Sequence, residues 1–240
     1  MPIPAPDLLN RFEARRFSAP DGSALPYRLL RPTGGSAPWP LVVLLHGAGE
    51  RGEDNQAQLG NGVADWLGSD AARAAFPCWF VLPQCPLGAR WVEVDWSAAS
   101  HTLPDAPSRP LALVQGLIDQ LVTDPSIDVH RLYLVGLSMG GFGTWDLLCR
   151  WPSRFAAAVP ICGGGDPTWA ARLRSVPLWA FHGAKDPVVS VARSRQMIEA
   201  LRTLGSQPRY SELAEVEHDA WNIAFAHPDL RPWLFSQRRE

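Results

Sequence analysis

The 240 residues, 46% hydrophobic and 19% charged, make a globular composition long enough to bury a sizeable core, which excludes the small scaffolds stapled by disulfides or a structural metal. The 22 basic and 24 acidic side chains leave a net charge of -2, so the footprint of a nucleic-acid binder or an anionic-membrane binder is missing and a small-molecule partner fits better. Lys185 is the single lysine, and the arginines are scattered rather than gathered into a patch.

Residues Arg11 to Arg31, with Asp21-Gly22 at the turn, predict an antiparallel hairpin at a sheet edge that includes a strand at Tyr27–Leu30. The next strand is the wholly apolar Leu41–Leu45, followed by a helical pattern at Val63–Ala75 and a strand at Trp79–Leu82. Pro83 to Ser108 has no clear period. A helix at Pro110–Val122 then leads to a strand at Leu132–Leu137, a helix at Phe142–Arg150 and a strand at Ala157–Ile161. Strands at Leu178–Phe181 and Pro208–Leu213 flank a helix at Val191–Leu204, and a last helix falls near Leu230–Ser236. Strands alternating with helices imply an α/β fold, a mostly parallel central sheet with helices on both faces. The uninterrupted apolar runs Leu41–Leu45 and Leu132–Val135 suit central strands buried on both sides. No repeat and no linker divides the chain, so one domain spanning 1–240 is expected, without a large lid.

Met1 to Arg16 is interrupted by prolines, Asp7 and Asn10 and carries no secretory apolar core, and no apolar run approaches the ~20 residues of a membrane span. A cytoplasmic protein with no membrane partner is the expectation, a previously trimmed export signal apart. Cys78, Cys85, Cys149 and Cys162 form no C-x-x-C pair; free thiols are expected, with Cys78 and Cys85 the local pairing candidates.

In open sheets of this kind ligands sit beyond the carboxyl ends of the strands. There the run Leu132-Tyr-Leu-Val-Gly-Leu-Ser-Met-Gly-Gly141 places G-x-S-x-G, residues 136 to 140, between a strand and a helix. That context is what a nucleophile elbow needs: Ser138 is presented at a helix N-terminus, and Gly136 and Gly140 remove side chains from a close strand-helix approach. The bland alternative is a Gly-rich turn with a serine cap. A serine hydroxyl needs an imidazole to take its proton and a carboxylate to orient the imidazole, in the chain order Ser, acid, His. His218, after the last strand, is favoured over His227, a loop residue before Pro228; His182 reads as a buried loop former. Asp186 and Asp166 both follow strands and both remain candidates for the acid, Asp186 better placed and Asp166 equally readable as a turn cap. Asp219, beside His218, cannot easily turn back to it. The oxyanion of an acyl-transfer intermediate needs two donors: the Met139 amide, and one from His46-Gly-Ala-Gly-Glu-Arg-Gly52, where Ala48 is favoured and Gly49 is the alternative. His46 and Arg51 are expected to brace that loop.

With Leu45-His-Gly-Ala-Gly-Glu-Arg-Gly52, Leu82-Pro-Gln-Cys-Pro86, Gly136-Leu-Ser-Met-Gly-Gly141, Pro160-Ile-Cys-Gly-Gly-Gly-Asp166 and His182-Gly-Ala-Lys-Asp-Pro187, the chain resembles the α/β-hydrolase superfamily. More narrowly it is similar to bacterial esterases also described as predicted peptidases, near the polyhydroxybutyrate-depolymerase-like, feruloyl-esterase-like and dienelactone-hydrolase-like branches. The resemblance implies a Ser138, Asp186, His218 triad, hydrolysis of a small-molecule carboxylic ester, and no cofactor or metal; it favours Asp186 over Asp166. Dienelactone hydrolases proper carry a cysteine where this chain has Ser138, and no propeller domain of the oligopeptidases fits before Leu41. Trp91, Trp96 and Trp221 are the candidates for contact with substrate, since Trp rings suit flat aromatic or sugar-like groups. The rival readings are a small peptidase or thioesterase with the same triad, a hydrolase-fold binding protein without turnover, and a metal hydrolase built on His46, His182 and His218, which lack metal-binding spacing.

Overall fold

A computed structural model describes residues 6–240; the first part of the Met1 to Arg16 reading lies outside that range. Eight strands form one sheet: β1 (Glu13–Ser18), β2 (Ala24–Leu30), β3 (Trp39–Leu45), β4 (Trp79–Pro83), β5 (Ile127–Leu137), β6 (Ala157–Ile161), β7 (Trp179–Gly183) and β8 (Arg209–Leu213). Their order is β1-β2-β4-β3-β5-β6-β7-β8. β1 and β2 make the antiparallel edge hairpin, β2 also runs antiparallel to β4, and every later pairing is parallel. The helices are α1 (Pro6–Leu9), α2 (Val63–Gly68), α3 (Asp70–Ala75), α4 (Arg109–Leu121), α5 (Met139–Arg150), α6 (Ala192–Thr203), α7 (Trp221–Ala226) and α8 (Leu230–Ser236). No helix among the described residues is long and apolar enough to cross a membrane.

The period of a strand explains why Leu41–Leu45 of β3 and Leu132–Leu137 of β5 are almost wholly apolar. Leu41, Val43 and Leu45 of β3, with Leu132 and Leu134 of β5, face a core shared with Leu111, Val114 and Leu117 of α4, Phe142 and Trp145 of α5 and Met197 and Leu201 of α6. Val42 and Leu44, with Tyr133 and Val135, face the opposite core against Val63, Trp66 and Leu67 of α2, Phe225 of α7 and Leu234 of α8. With helices on both faces, Leu41–Leu45 and Leu132–Leu137 are buried on both sides, whereas the start of β5 is exposed at Val129.

Several boundaries differ from expectation. The helix expected over Val63–Ala75 is two helices, because Ser69 (φ -65°, ψ 154°) leaves the helical region, ends α2, and accepts the Ala72 amide through Oγ to begin α3. β5 begins at Ile127 rather than Leu132, and Leu178 makes only an isolated bridge to Ala158 before β7. α5 begins three residues before the expected Phe142, directly after Ser138. All four cysteines are buried free thiols, Cys78 and Cys85 included.

Candidate active site

β5 ends at Leu137, and the chain turns into α5 within one residue. Ser138 makes that turn with φ 53° and ψ -118°, a conformation costing about 1–3 kcal/mol that persists only where the surroundings impose it. They do so through backbone contact. The Ser138 amide donates to Ile161 O at 2.8 Å. A Cβ on Gly140 would lie 1.9 Å from Leu45 O, and one on Gly136 would lie 2.1 Å from Gly140 O, so only glycines let the start of α5 sit against the ends of β3 and β5.

The loops after β7 and β8 bring a carboxylate and an imidazole to the same place. Ser138 Oγ is 2.8 Å from His218 Nε2, and His218 Nδ1 is 2.7 Å from Asp186 Oδ2. The Asp186 side chain is fully buried, and burial by itself would raise its pKa. Contacts to His182 and His218 and the amides of Val188 and Val189, which donate to Oδ1 at 2.8 and 2.9 Å, outweigh burial and hold the carboxyl well below the usual range. Asp186 is therefore an anion at neutral pH. His182 lies beneath it, fully buried, with Nδ1 2.7 Å from Ser194 Oγ, Nε2 2.9 Å from Val189 O and 3.3 Å from Asp186 Oδ2.

The other sequence candidates are occupied elsewhere. Asp166 caps the 3-10 turn Pro167–Leu173 by accepting the Thr168 amide at 3.0 Å, and its other oxygen accepts the Leu103 amide at 2.8 Å. His227 Nδ1 accepts the Asp229 amide, its ring packed 5.0 Å from that of Trp179. Asp219 accepts from Asn222 Nδ2 at 3.0 Å. Neither His46 nor His182 offers a free ring nitrogen, which counts against the rival reading of a metal site built on those two with His218.

Beyond β3, Gly47 passes close to the serine: a Cβ there would lie 3.5 Å from Ser138 Cβ. Ala48 opens a 3-10 turn and Met139 opens α5, so both amides are first-turn N–H groups without an acceptor inside their own helix. Arg51 Nε donates to Ala48 O at 2.8 Å. His46 is buried; its Nδ1–H donates to Gly47 O at 2.6 Å and Nε2 accepts the Cys85 amide at 2.9 Å. Burial, with Arg51 nearby, pushes its pKa down to about 4 against the opposing Gly47 hydrogen bond, so the ring is neutral.

Sequence reasoning passed over two buried polar residues of this loop. Glu50 accepts from Asn61 Nδ2 at 3.0 Å, and burial raises its pKa. Gln84 donates to Glu50 O at 3.1 Å and to Asp54 Oδ1 at 2.7 Å, tying the end of β4 to the loop. Their only sequence signal is membership of the motifs around His46 and Pro83.

The irregular segment after β4 lies over the strand ends as a strap. Arg193 donates to Ala98 O at 3.1 Å, Gln196 to Ala99 O at 3.3 Å, and Arg150 to Pro104 O and Asp105 O at 2.6 and 3.1 Å. Trp91, expected to meet substrate, is instead fully buried: its indole N–H donates to His46 O at 3.0 Å, and its Cβ packs where Gly143 has no side chain. It supports the loop from beneath. Trp96 is half-buried under the Arg90 guanidinium, 4.4 Å from its ring centre, and Trp221 stands edge-on to His218 with centroids 5.5 Å apart.

No family model matches the chain. A solved thermostable esterase is 37% identical and superposes with a TM-score of 0.89 over 97% of this chain and 64% of its own. Poly(3-hydroxyalkanoate) depolymerase C of Paucimonas lemoignei is 30% identical over 55% of this chain and 30% of its own length. A probable feruloyl esterase C of Aspergillus terreus is 27% identical over 65% of this chain and 52% of its own. The chain thus spans less than two thirds of each of these relatives.

Proposed function

We propose that this chain, which has the α/β-hydrolase fold, is a serine hydrolase that cleaves carboxylic esters through an acyl-enzyme, the catalytic unit being one domain over 1–240. The observation that carries the reading is the unbroken hydrogen-bonded run from Ser138 Oγ through His218 to Asp186, at 2.8 and 2.7 Å, at the carboxyl ends of β5, β7 and β8. Similarity to proteins named as esterases supports the choice of ester as substrate.

Ser138 Oγ attacks the ester carbonyl carbon as His218 Nε2 takes its proton. The Asp186 carboxylate holds the proton on Nδ1, which leaves Nε2 free to accept, and stabilises the imidazolium that forms. The amides of Met139 and Ala48 donate to the tetrahedral oxyanion; such donors are each worth on the order of 100-fold in turnover. His218 then protonates the leaving alcohol, and the bond from carbon to the alcohol oxygen breaks. Water enters, gives its proton to His218 and attacks the acyl-enzyme, and the acid departs with Ser138 restored. Trp96 and Trp221 border the substrate, Trp221 beside the base.

The test is hydrolysis of p-nitrophenyl acetate and butyrate by wild type and Ser138→Ala, with mass spectrometry after an organophosphonate probe. The expected result is loss of turnover and of a single adduct on Ser138. Folded wild type with neither turnover nor adduct would refute the hydrolase and favour a binding protein, and turnover surviving in Ser138→Ala would refute the nucleophile.

A further inference from the structure

Cys162 plays no part in that reaction, yet it lies close to two of the residues that do. It follows β6 directly, with φ 49°, a left-handed conformation that costs a side-chain-bearing residue about 1–2 kcal/mol and that the glycines at 163 to 165 would adopt freely. Its thiol donates to His218 O at 3.1 Å. Cys162 Sγ, an Asp186 carboxylate oxygen and a His218 ring nitrogen all lie within 4.8 Å of one another, the one such group of potential ligands among the described residues. Three neighbouring parallel strands, β6, β7 and β8, thus deliver one sulfur, one oxygen and one nitrogen to a single point.

We propose that this cluster is an inhibitory site for a thiophilic divalent cation such as Zn²⁺ or Cd²⁺. The donor set decides the metal class: a thiolate with an imidazole and a single carboxylate suits a soft or borderline four-coordinate ion and does not suit Mg²⁺ or Ca²⁺, which take six or more oxygens. Metal–ligand bonds of about 2.0–2.3 Å in a tetrahedron hold donors roughly 3.3–3.8 Å apart, so the three atoms need move by only about an ångström. The Cys162 and Asp186 side chains are buried and the His218 side chain is 20% exposed, so an ion would approach along the His218 side.

Binding replaces two protons, one from the Cys162 thiol and one from His218 Nδ1, and both pass to solvent; no electron moves. Asp186 then bonds the cation in place of the Nδ1 proton. The imidazole is left attached to a dication, and its Nε2 becomes a poor acceptor for the Ser138 proton. The Ser138 hydroxyl and the two oxyanion amides are untouched, so kcat falls and KM changes little. This effect on turnover rests on the esterase reading; binding of the ion does not.

The experiment titrates Cd²⁺ into chelator-treated wild type, Cys162→Ala and Cys162→Ser. The readouts are the ultraviolet thiolate-to-cadmium charge-transfer band, circular dichroism and p-nitrophenyl ester kinetics. Wild type should show the band saturating at one equivalent, and kcat should fall on the order of 100-fold, the scale of a general base's contribution, with recovery on chelation. Both variants should keep the fold and the metal-free activity and lose the band and the inhibition. Equal inhibition of all three proteins, or no band in wild type, would overturn the site. Should wild type lack esterase activity, the proposed function fails, and the band still decides whether the ion binds.

Discussion

Acidification should destabilise this protein by about 3 kcal/mol through His46 alone. The buried ring gives one nitrogen to Gly47 O and accepts the Cys85 amide with the other, so a second proton would point at a donor. Its pKa falls from the ordinary 6.5 to about 4 on folding. Above pH 6.5 both folded and unfolded chains hold His46 neutral, and the term vanishes. As pH falls through this window the unfolded chain binds a proton that the folded chain refuses, and stability drops by about 1.4 kcal/mol per unit until the ring titrates in the folded state near pH 4. His101, lowered to about 4 by burial and Arg193, titrates over the same window, so a comparator is required. Urea unfolding of wild type and His46→Gln at several pH values supplies it, because every other group cancels in the difference. The stability gap should narrow by about 3 kcal/mol between neutral and acid pH. A gap that does not depend on pH would refute a neutral, refused imidazole at this position.

The two acidic candidates separate cleanly. Asp186→Asn removes the anion 2.7 Å from His218 Nδ1 and should lower kcat on the order of 10⁴-fold while leaving the fold intact; a loss under tenfold in steady-state kinetics would remove Asp186 from its role. Asp166→Ala should do the reverse, costing about 2 kcal/mol in urea unfolding as Leu103 and Thr168 lose their acceptor, with kcat reduced far less. Gly140→Ala should destabilise by about 3 kcal/mol or more, since its Cβ would fall 1.9 Å from the unyielding Leu45 carbonyl; a neutral effect on the thermal midpoint would mean that α5 stands further from β3 than described.

The parts of this fold readable in the sequence are those where one local rule decides. Leu41–Leu45 of β3 and Leu132–Val135 of β5 could be read because burial on both faces leaves them almost without polar groups, and the elbow because its glycines have one steric purpose. The start of α5 could not, since Gly140, Gly141 and Gly143 are poor helix formers and only contact with β3, β6 and Trp91 makes them necessary. Ser69 carried an N-cap signal, but the apolar period of Val63–Ala75 ran through it. Trp91 was misread for a related reason: it lies in an irregular segment, where an aromatic ring looks like surface, and its burial under His46 depends on a contact 45 residues away. The pairing of Asp186 with His218 followed from strand order, whereas the approach of Cys162 to both depends on its left-handed backbone, which nothing in the neighbouring residues announces.

The strap is held by its carbonyls at Ala98, Ala99, Pro104 and Asp105 and by its Leu103 amide, with Arg193, Gln196, Arg150 and Asp166 supplying the partners. Its path between Ala98 and Asp105 is therefore set largely by other parts of the chain, with buried Trp91 as the anchor it supplies itself. Exposed residues such as Ala99, Ser100 and Thr102 can be exchanged without re-laying the segment, so descendants of this protein could alter what the cleft meets while inheriting the same roof.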